Sequence, residues 1–244
     1  MRTARRRLLA TGGLSVALGV TNVVAAPRLG RVASAAWNLG TTAVVLQLAR
    51  WAGADRSVIG LDRRQLPRGV VTGVVGATAV AAALGAVATT HTGRELLDDD
   101  RVVTATWPQT ALHVGVFIPL GTVVLEEVAF RGVLPALLDP EARSVVTTVV
   151  LPSLAFGAWH IISSRDFVAA HAHARAGGGA TGSTAGIVTT TTAAGVVLAL
   201  ARLHGGHLVA PALMHLTANA LVTVLGRALA RPNTAEGGAT GGTA

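Results

Sequence analysis

The sequence predicts an all-α protein, a polytopic transmembrane helix bundle of about seven spans (six to eight). Three observations carry this expectation. Of 244 residues, 51% are hydrophobic and only 13% charged, about half the charged share of a soluble domain. Those charges gather into short islands between apolar runs of about 20 residues, the helical length that crosses a hydrocarbon core of about 30 Å. The net charge is +8, with no lysine, and the arginines sit at the ends of the apolar runs. There the positive-inside rule and anionic lipid account for them. With 3% aromatic residues and no tyrosine, no basic face interleaved with aromatics forms, so a nucleic-acid partner is not expected and a lipid bilayer is. The absence of cysteine excludes disulfides and thiolate metal sites. The length suits one integral membrane domain over residues 1–244, without a separate soluble domain.

Residues 1–7 form a basic head, MRTARRR, followed by the apolar run Leu8–Ala26. That pattern, with VVAA before Pro27, also fits a cleaved signal peptide. The run is longer than a usual signal core, so the expectation is a retained first span with its head in the cytoplasm. Val32–Ala52 reads as a second span. The loop from Gly53 to Arg68 holds Arg56, Arg63, Arg64 and Arg68 and is expected on the cytoplasmic side of the cell membrane. Gly69–Thr90, built of Ala, Val, Gly and Thr, is a third span whose small residues allow close helix approach. Residues 91–106, with the acidic run Asp98–Asp100, are expected outside. Pro108 opens the fourth span, since proline is tolerated in a first helical turn, and Pro140 ends it after Leu138. Val145–Ile162 is the fifth span. Ser163–Thr184, with Gly177–Gly179, His171 and His173, reads as a loop. Gly186–Leu203 and His207–Ala230 complete the set, and the tail 231–244 is expected to be disordered.

The fourth span carries a cluster that a lipid-facing helix does not tolerate. Each unpaired charge in hydrocarbon costs roughly 2.5–3.5 kcal/mol on insertion scales. Glu127 and Arg131 lie four residues apart, so they share a helix face and can neutralise one another. Glu126 is rotated by about 100° and can point elsewhere. In the fifth span Phe156 and His160 share a face, with Gly157 and Ala158 leaving space beside it. In the seventh, His215 and Asn219 stack at i and i+4, with Pro211 loosening the helix just before. Separately, each set reads as readily as an interfacial charge cluster or as polar side chains knitting helices together. Jointly they are least costly if turned towards one another in a wet internal cavity. A carboxylate beside a histidine can activate a water, and a histidine with an asparagine can hold the oxyanion formed on an amide carbonyl.

The order E-E-x-x-x-R, F-x-x-x-H and H-x-x-x-N resembles the CAAX protease and bacteriocin-processing family, also called Abi. Here it reads Glu126-Glu127-Val-Ala-Phe-Arg131, Phe156-Gly-Ala-Trp-His160 and His215-Leu-Thr-Ala-Asn219. The flank GGHLVAPALMHLTANAL is similar to that family's last helix, and the resemblance spans about residues 108–230. It implies a type II CAAX prenyl endopeptidase-like membrane enzyme acting on a membrane-associated or lipidated peptide or protein. By that resemblance Glu126 and His160 would activate the water, and His215 and Asn219 would hold the oxyanion. Glu127, Arg131 and Phe156 would support the site. The family has been labelled metallopeptidase, and by ligand type Glu126, His160 and His215 also suit Zn²⁺. No H-E-x-x-H pair is present, so the expectation is glutamate-based hydrolysis without a cofactor, with Zn²⁺ as the alternative. The competing reading is a non-catalytic membrane protein that binds a peptide or regulatory partner in an immunity or scaffold role. His171, His173, His204 and His207 match no motif and read as loop or interfacial residues. With straight spans Glu126 falls near the inner end of the fourth span and His160 near the outer end of the fifth. Convergence therefore calls for a broken or re-entrant segment, for which Pro135, Pro140 and Pro152 offer breakpoints.

Overall fold

A computed structural model describes residues 2–97, 105–170 and 184–229, and every regular element among them is helical. The acidic run Asp98–Asp100, the pair His171 and His173, the glycine run and the tail fall outside the described residues. The elements are α1 (Arg2–Val20), α2 (Arg31–Trp51), α3 (Leu66–Thr89), the short α4 (His91–Leu97), α5 (Trp107–Leu138), α6 (Leu151–Ala170), α7 (Thr184–Gly205) and α8 (Val209–Leu229). Six of these helices, with their extensions, are long and apolar enough to cross a membrane; Val146–Ile162 is a shorter apolar stretch. All seven apolar runs of the sequence are therefore helices, and the chain is an integral membrane protein.

The helix ends follow from local chemistry. Thr106 caps α5 through a capping box with Gln109, and Pro108 occupies the first turn, where its missing N–H would have been unpaired in any case. Asp62 accepts a hydrogen bond from the Arg64 amide ahead of α3. That helix starts at Leu66 with Pro67 in its first turn, so Arg68 belongs to the helix rather than to the loop.

Five π-helical turns interrupt the α pattern among the described residues, at Thr21–Ala25, His113–Phe117, Pro119–Val123, Val128–Val133 and Val146–Val150. All but Pro119–Val123 stand just before a proline: Pro27, Pro119, Pro135 and Pro152. A proline ring clashes with the carbonyl four residues back. That carbonyl belongs to Val23, Gly115, Arg131 or Thr148, inside the widened turn in each case. The π turn relieves the clash without ending the helix.

This is why the expected break is not found. α5 continues through the charged cluster to Leu138, and a short turn leads to Val146. Asp139 holds that turn, accepting from the Ser144 amide at 2.8 Å and the Thr147 hydroxyl at 2.9 Å. Glu126 lies twelve residues before Leu138, and Trp159 lies thirteen after Val146. At 1.5 Å per residue both sit about 18–20 Å from the turn. Equal depth arises from a simple helical hairpin, with no re-entrant segment.

Close packing then fixes the neighbours. α3 lies against α8 and α6 against α7 over the longest contacts in the molecule. The buried apolar core gathers around α5, with Leu14, Val45, Leu125, Phe130, Val133 and Phe156 among its members. Gly157 does not leave space beside His160: a side chain there would meet the Val188 carbonyl of α7 at 3.0 Å, so the gap is filled by helix packing.

Candidate functional site

Glu126, Glu127, Arg131 and His215 are all buried, on α5 and α8. As the spacing predicts, Arg131 Nη1 donates to Glu127 Oε1 at 3.2 Å. The same oxygen accepts His215 Nδ1–H at 2.7 Å. This second bond orients the imidazole and puts its Nε2 3.8 Å from Glu126 Oε2. Glu127 thereby does for His215 what an orienting carboxylate does for a catalytic histidine: it fixes the tautomer and ring direction.

Glu126 turns away from Arg131, as its 100° offset implies. Its Oε1 accepts the Trp159 indole N–H at 3.0 Å. Its Oε2 is buried with no hydrogen-bond partner, as are Glu127 Oε2 and Arg131 Nη2. Such atoms cost about 1–3 kcal/mol each when nothing satisfies them. Three of the seven among the described residues fall in this one cluster, the pattern of a site kept ready for a water or a polar ligand. Arg131 also lines a cavity of about 210 Å³ with Asp139, Thr148 and Arg202, on the side of the hairpin turn.

Phe156 joins the three motifs. Its ring stands edge-on to His160 at 4.6 Å and to His215 at 5.9 Å between centroids, and the Arg131 guanidinium lies 3.8 Å over its face. A guanidinium on an aromatic face retains part of its stabilisation without water. His160 Nδ1 lies 2.8 Å from the Phe156 carbonyl. A carbonyl only accepts, so Nδ1 carries a proton. Asn219 is half-buried one turn beyond His215, and its own carbonyl accepts from Thr223.

The structure thus brings Glu126, Glu127, Arg131, Phe156 and His215 into one contact set, with His160 against Phe156. The Zn²⁺ alternative is not matched by geometry. Among the described residues no group of three His, Cys, Asp or Glu is placed to hold a metal ion, and Glu126, His160 and His215 do not assemble as ligands. No metal step is therefore derived.

Trp159 is the residue that sequence reasoning missed. Its signal was available: an indole one residue before His160, in a membrane-embedded helix, carries an N–H that needs a buried acceptor. Among the unassigned histidines, His207 caps α8, accepting the Val209 amide at 3.0 Å. Burial, and then the nearby Arg202 charge, hold it below the usual imidazole range. His204 is exposed.

Among curated proteins and solved structures none matches the chain. A family model does, "Type II CAAX prenyl endopeptidase Rce1-like", over residues 108–221, from the opening of α5 into α8. That stretch, just under half of the chain, holds every residue of the cluster and is similar to the Rce1-like type II CAAX prenyl endopeptidases.

Proposed function

We propose that this protein is an intramembrane endopeptidase that hydrolyses a peptide bond of a membrane-associated or lipidated peptide or protein. The observation that carries the reading is the pair of atoms Glu126 Oε2 and His215 Nε2, 3.8 Å apart with Oε2 unpartnered. A water set beside the line joining them reaches both at about 2.8 Å, ordinary hydrogen-bond length. Glu126 Oε2 takes a proton from that water as its oxygen bonds to the scissile carbonyl carbon. The negative charge then passes to the carbonyl oxygen, and His215 with Asn219, one helical turn apart on the same face, stabilise it, His215 carrying for this role a proton on Nε2 as well as the one Nδ1 gives to Glu127. Collapse breaks the C–N bond, and the leaving amine takes the proton from Glu126. His160, held against Phe156 on the neighbouring helix, assists the deprotonation. Glu127 and Arg131 hold His215, and Phe156 packs the imidazoles together. The N-terminus is assigned to the cytoplasm of a cell membrane from the arginine bias.

The test is cleavage of a model membrane peptide by the full chain in lipid. Glu126→Ala and His160→Ala are each expected to abolish cleavage while melting like the parent. Cleavage retained by either variant overturns the assigned chemistry.

A further inference from the structure

Two oxygens of one carboxylate stand in different surroundings. Glu126 Oε1 accepts the Trp159 indole N–H at 3.0 Å, whereas Oε2 has no partner and faces His215 Nε2. The indole is itself fixed. Its ring stands edge-on to Phe130 at 5.9 Å, and the Trp159 carbonyl accepts Asn22 Nδ2–H, just beyond α1, at 2.6 Å. Asn22 lies in the first π turn, outside the stretch that matches the family model. The charged and titratable groups around Glu126 are Glu127 and Arg131 on α5, His215 on α8, and His160 beside Trp159 on α6.

We propose that Trp159 is a positioning residue that selects the working oxygen of Glu126: its indole occupies Oε1, leaving Oε2 to take the proton of the attacking water. A carboxylate on an unbranched chain otherwise swings about its terminal bond, which is broad and two-fold. Either oxygen could then turn to His215. One indole bond removes that exchange, and a bond from a neutral donor to a charged acceptor is strong enough to do so. The inference rests on the peptidase reading for its kinetic consequence, but the contact itself does not.

The experiment therefore has two arms. The chain has four tryptophans, so protein labelled with ¹⁵N-tryptophan gives four indole N–H resonances, and Trp159→Phe identifies one. Trp37, whose indole donates to Thr21 at 3.0 Å, serves as an internal control. In Glu126→Ala the Trp159 resonance moves upfield while that of Trp37 stays. In the second arm, Trp159 is replaced by 3-benzothienylalanine, which keeps the ring shape and removes only the N–H. The turnover number kcat is expected to fall by about 10- to 100-fold, the span of one hydrogen bond to a charged group, with KM within about twofold. An indole resonance unmoved by Glu126→Ala, or kcat of the isostere within about twofold of the parent, overturns the proposal. Cleavage retained by Glu126→Ala overturns the peptidase reading instead, and the two failures are distinguishable because the indole shift then persists.

Discussion

Helix α8 carries two contrasting interfaces. Towards α3 the contact is made of small residues. A side chain at Gly73 would meet the Ala210 backbone at 3.1 Å and Leu213 at 2.9 Å, and one at Gly69 would meet His207 and Val209 at 2.7 and 2.8 Å. Towards α5, one face round, His215 meets Glu127 through a charged hydrogen bond at 2.7 Å. The first interface is dominated by close backbone approach and sets distance. The second has demanding chemistry and little freedom of distance. The difference shows how a membrane protein places a reactive group: lipid supplies no hydrophobic drive between helices, so backbone proximity through glycine does the positioning. The charges then find their partners on the opposite face.

The largest effect is expected on the charged side. Glu127→Ala leaves Arg131 buried without its partner and His215 without its orienting acceptor. Breaking a buried pair costs about 3–5 kcal/mol, and loss of the orienting carboxylate is expected to lower cleavage by at least about 100-fold. A melt in lipid together with single-turnover cleavage measures both.

Next comes the test of coupling between the two faces. Gly73→Leu overpacks the α3–α8 seam, at roughly 1–3 kcal/mol. By displacing α8 it is expected to reduce cleavage by about 10-fold or more without touching the site. Gly85, which has nothing within 4 Å of its added side chain, is the control: Gly85→Ala should be neutral or stabilising by about 0.5–1 kcal/mol. If Gly73→Leu destabilises yet cleaves like the parent, the two faces of α8 act independently and the comparison fails.

A smaller effect is expected from Asn38→Ala. Asn38 Nδ2 donates to the Gly121 carbonyl in the π turn Pro119–Val123, tying α2 to α5. Interhelical hydrogen bonds in membranes average about 0.6 kcal/mol, with a maximum near 1.7, and a melt should fall in that range.

The smallest concerns pH and the hairpin turn. The Ser144 amide, and then the Thr147 hydroxyl, hold the Asp139 carboxyl below its ordinary value. A depressed carboxyl stabilises the native state at pH above the unfolded value of about 3.9, and that contribution is lost as pH falls through the native value. Asp139→Asn should therefore melt lower than the parent near neutrality and approach it at acid pH. A constant difference across the range would assign the effect to turn geometry instead.

How far these interfaces were legible varies with the kind of contact. The Glu127–Arg131 pair followed from four-residue spacing alone, because it lies within one helix. The seven apolar helices followed from run length, and the capped start of α5 from Pro108. Four of the five π turns have their following proline in plain view, although the sequence reading took Pro135 and Pro152 as breaks rather than as causes of a widened turn. The breaks were invoked to cure an apparent mismatch in depth between Glu126 and the fifth span, which arose from placing Glu126 at the inner end of a helix that runs twelve residues further to Leu138. The space read beside Gly157 proved to be the α6–α7 contact, because an absent side chain marks either a cavity or a close neighbour. Trp159 went unread because hydrogen-bond need is visible in a sequence but its acceptor is not.

Within a helix, rise and rotation per residue are constants, so the sequence alone determined the helices, the charged face of α5 and the stacked pair on α8. Between helices no such constant exists. Only the tertiary structure decided that Glu127 takes His215, that Glu126 takes Trp159, and that Asn22 reaches across from the π turn after α1. Those pairings depend on how far each rod is translated and turned against its neighbours, which is set by where small residues let backbones meet.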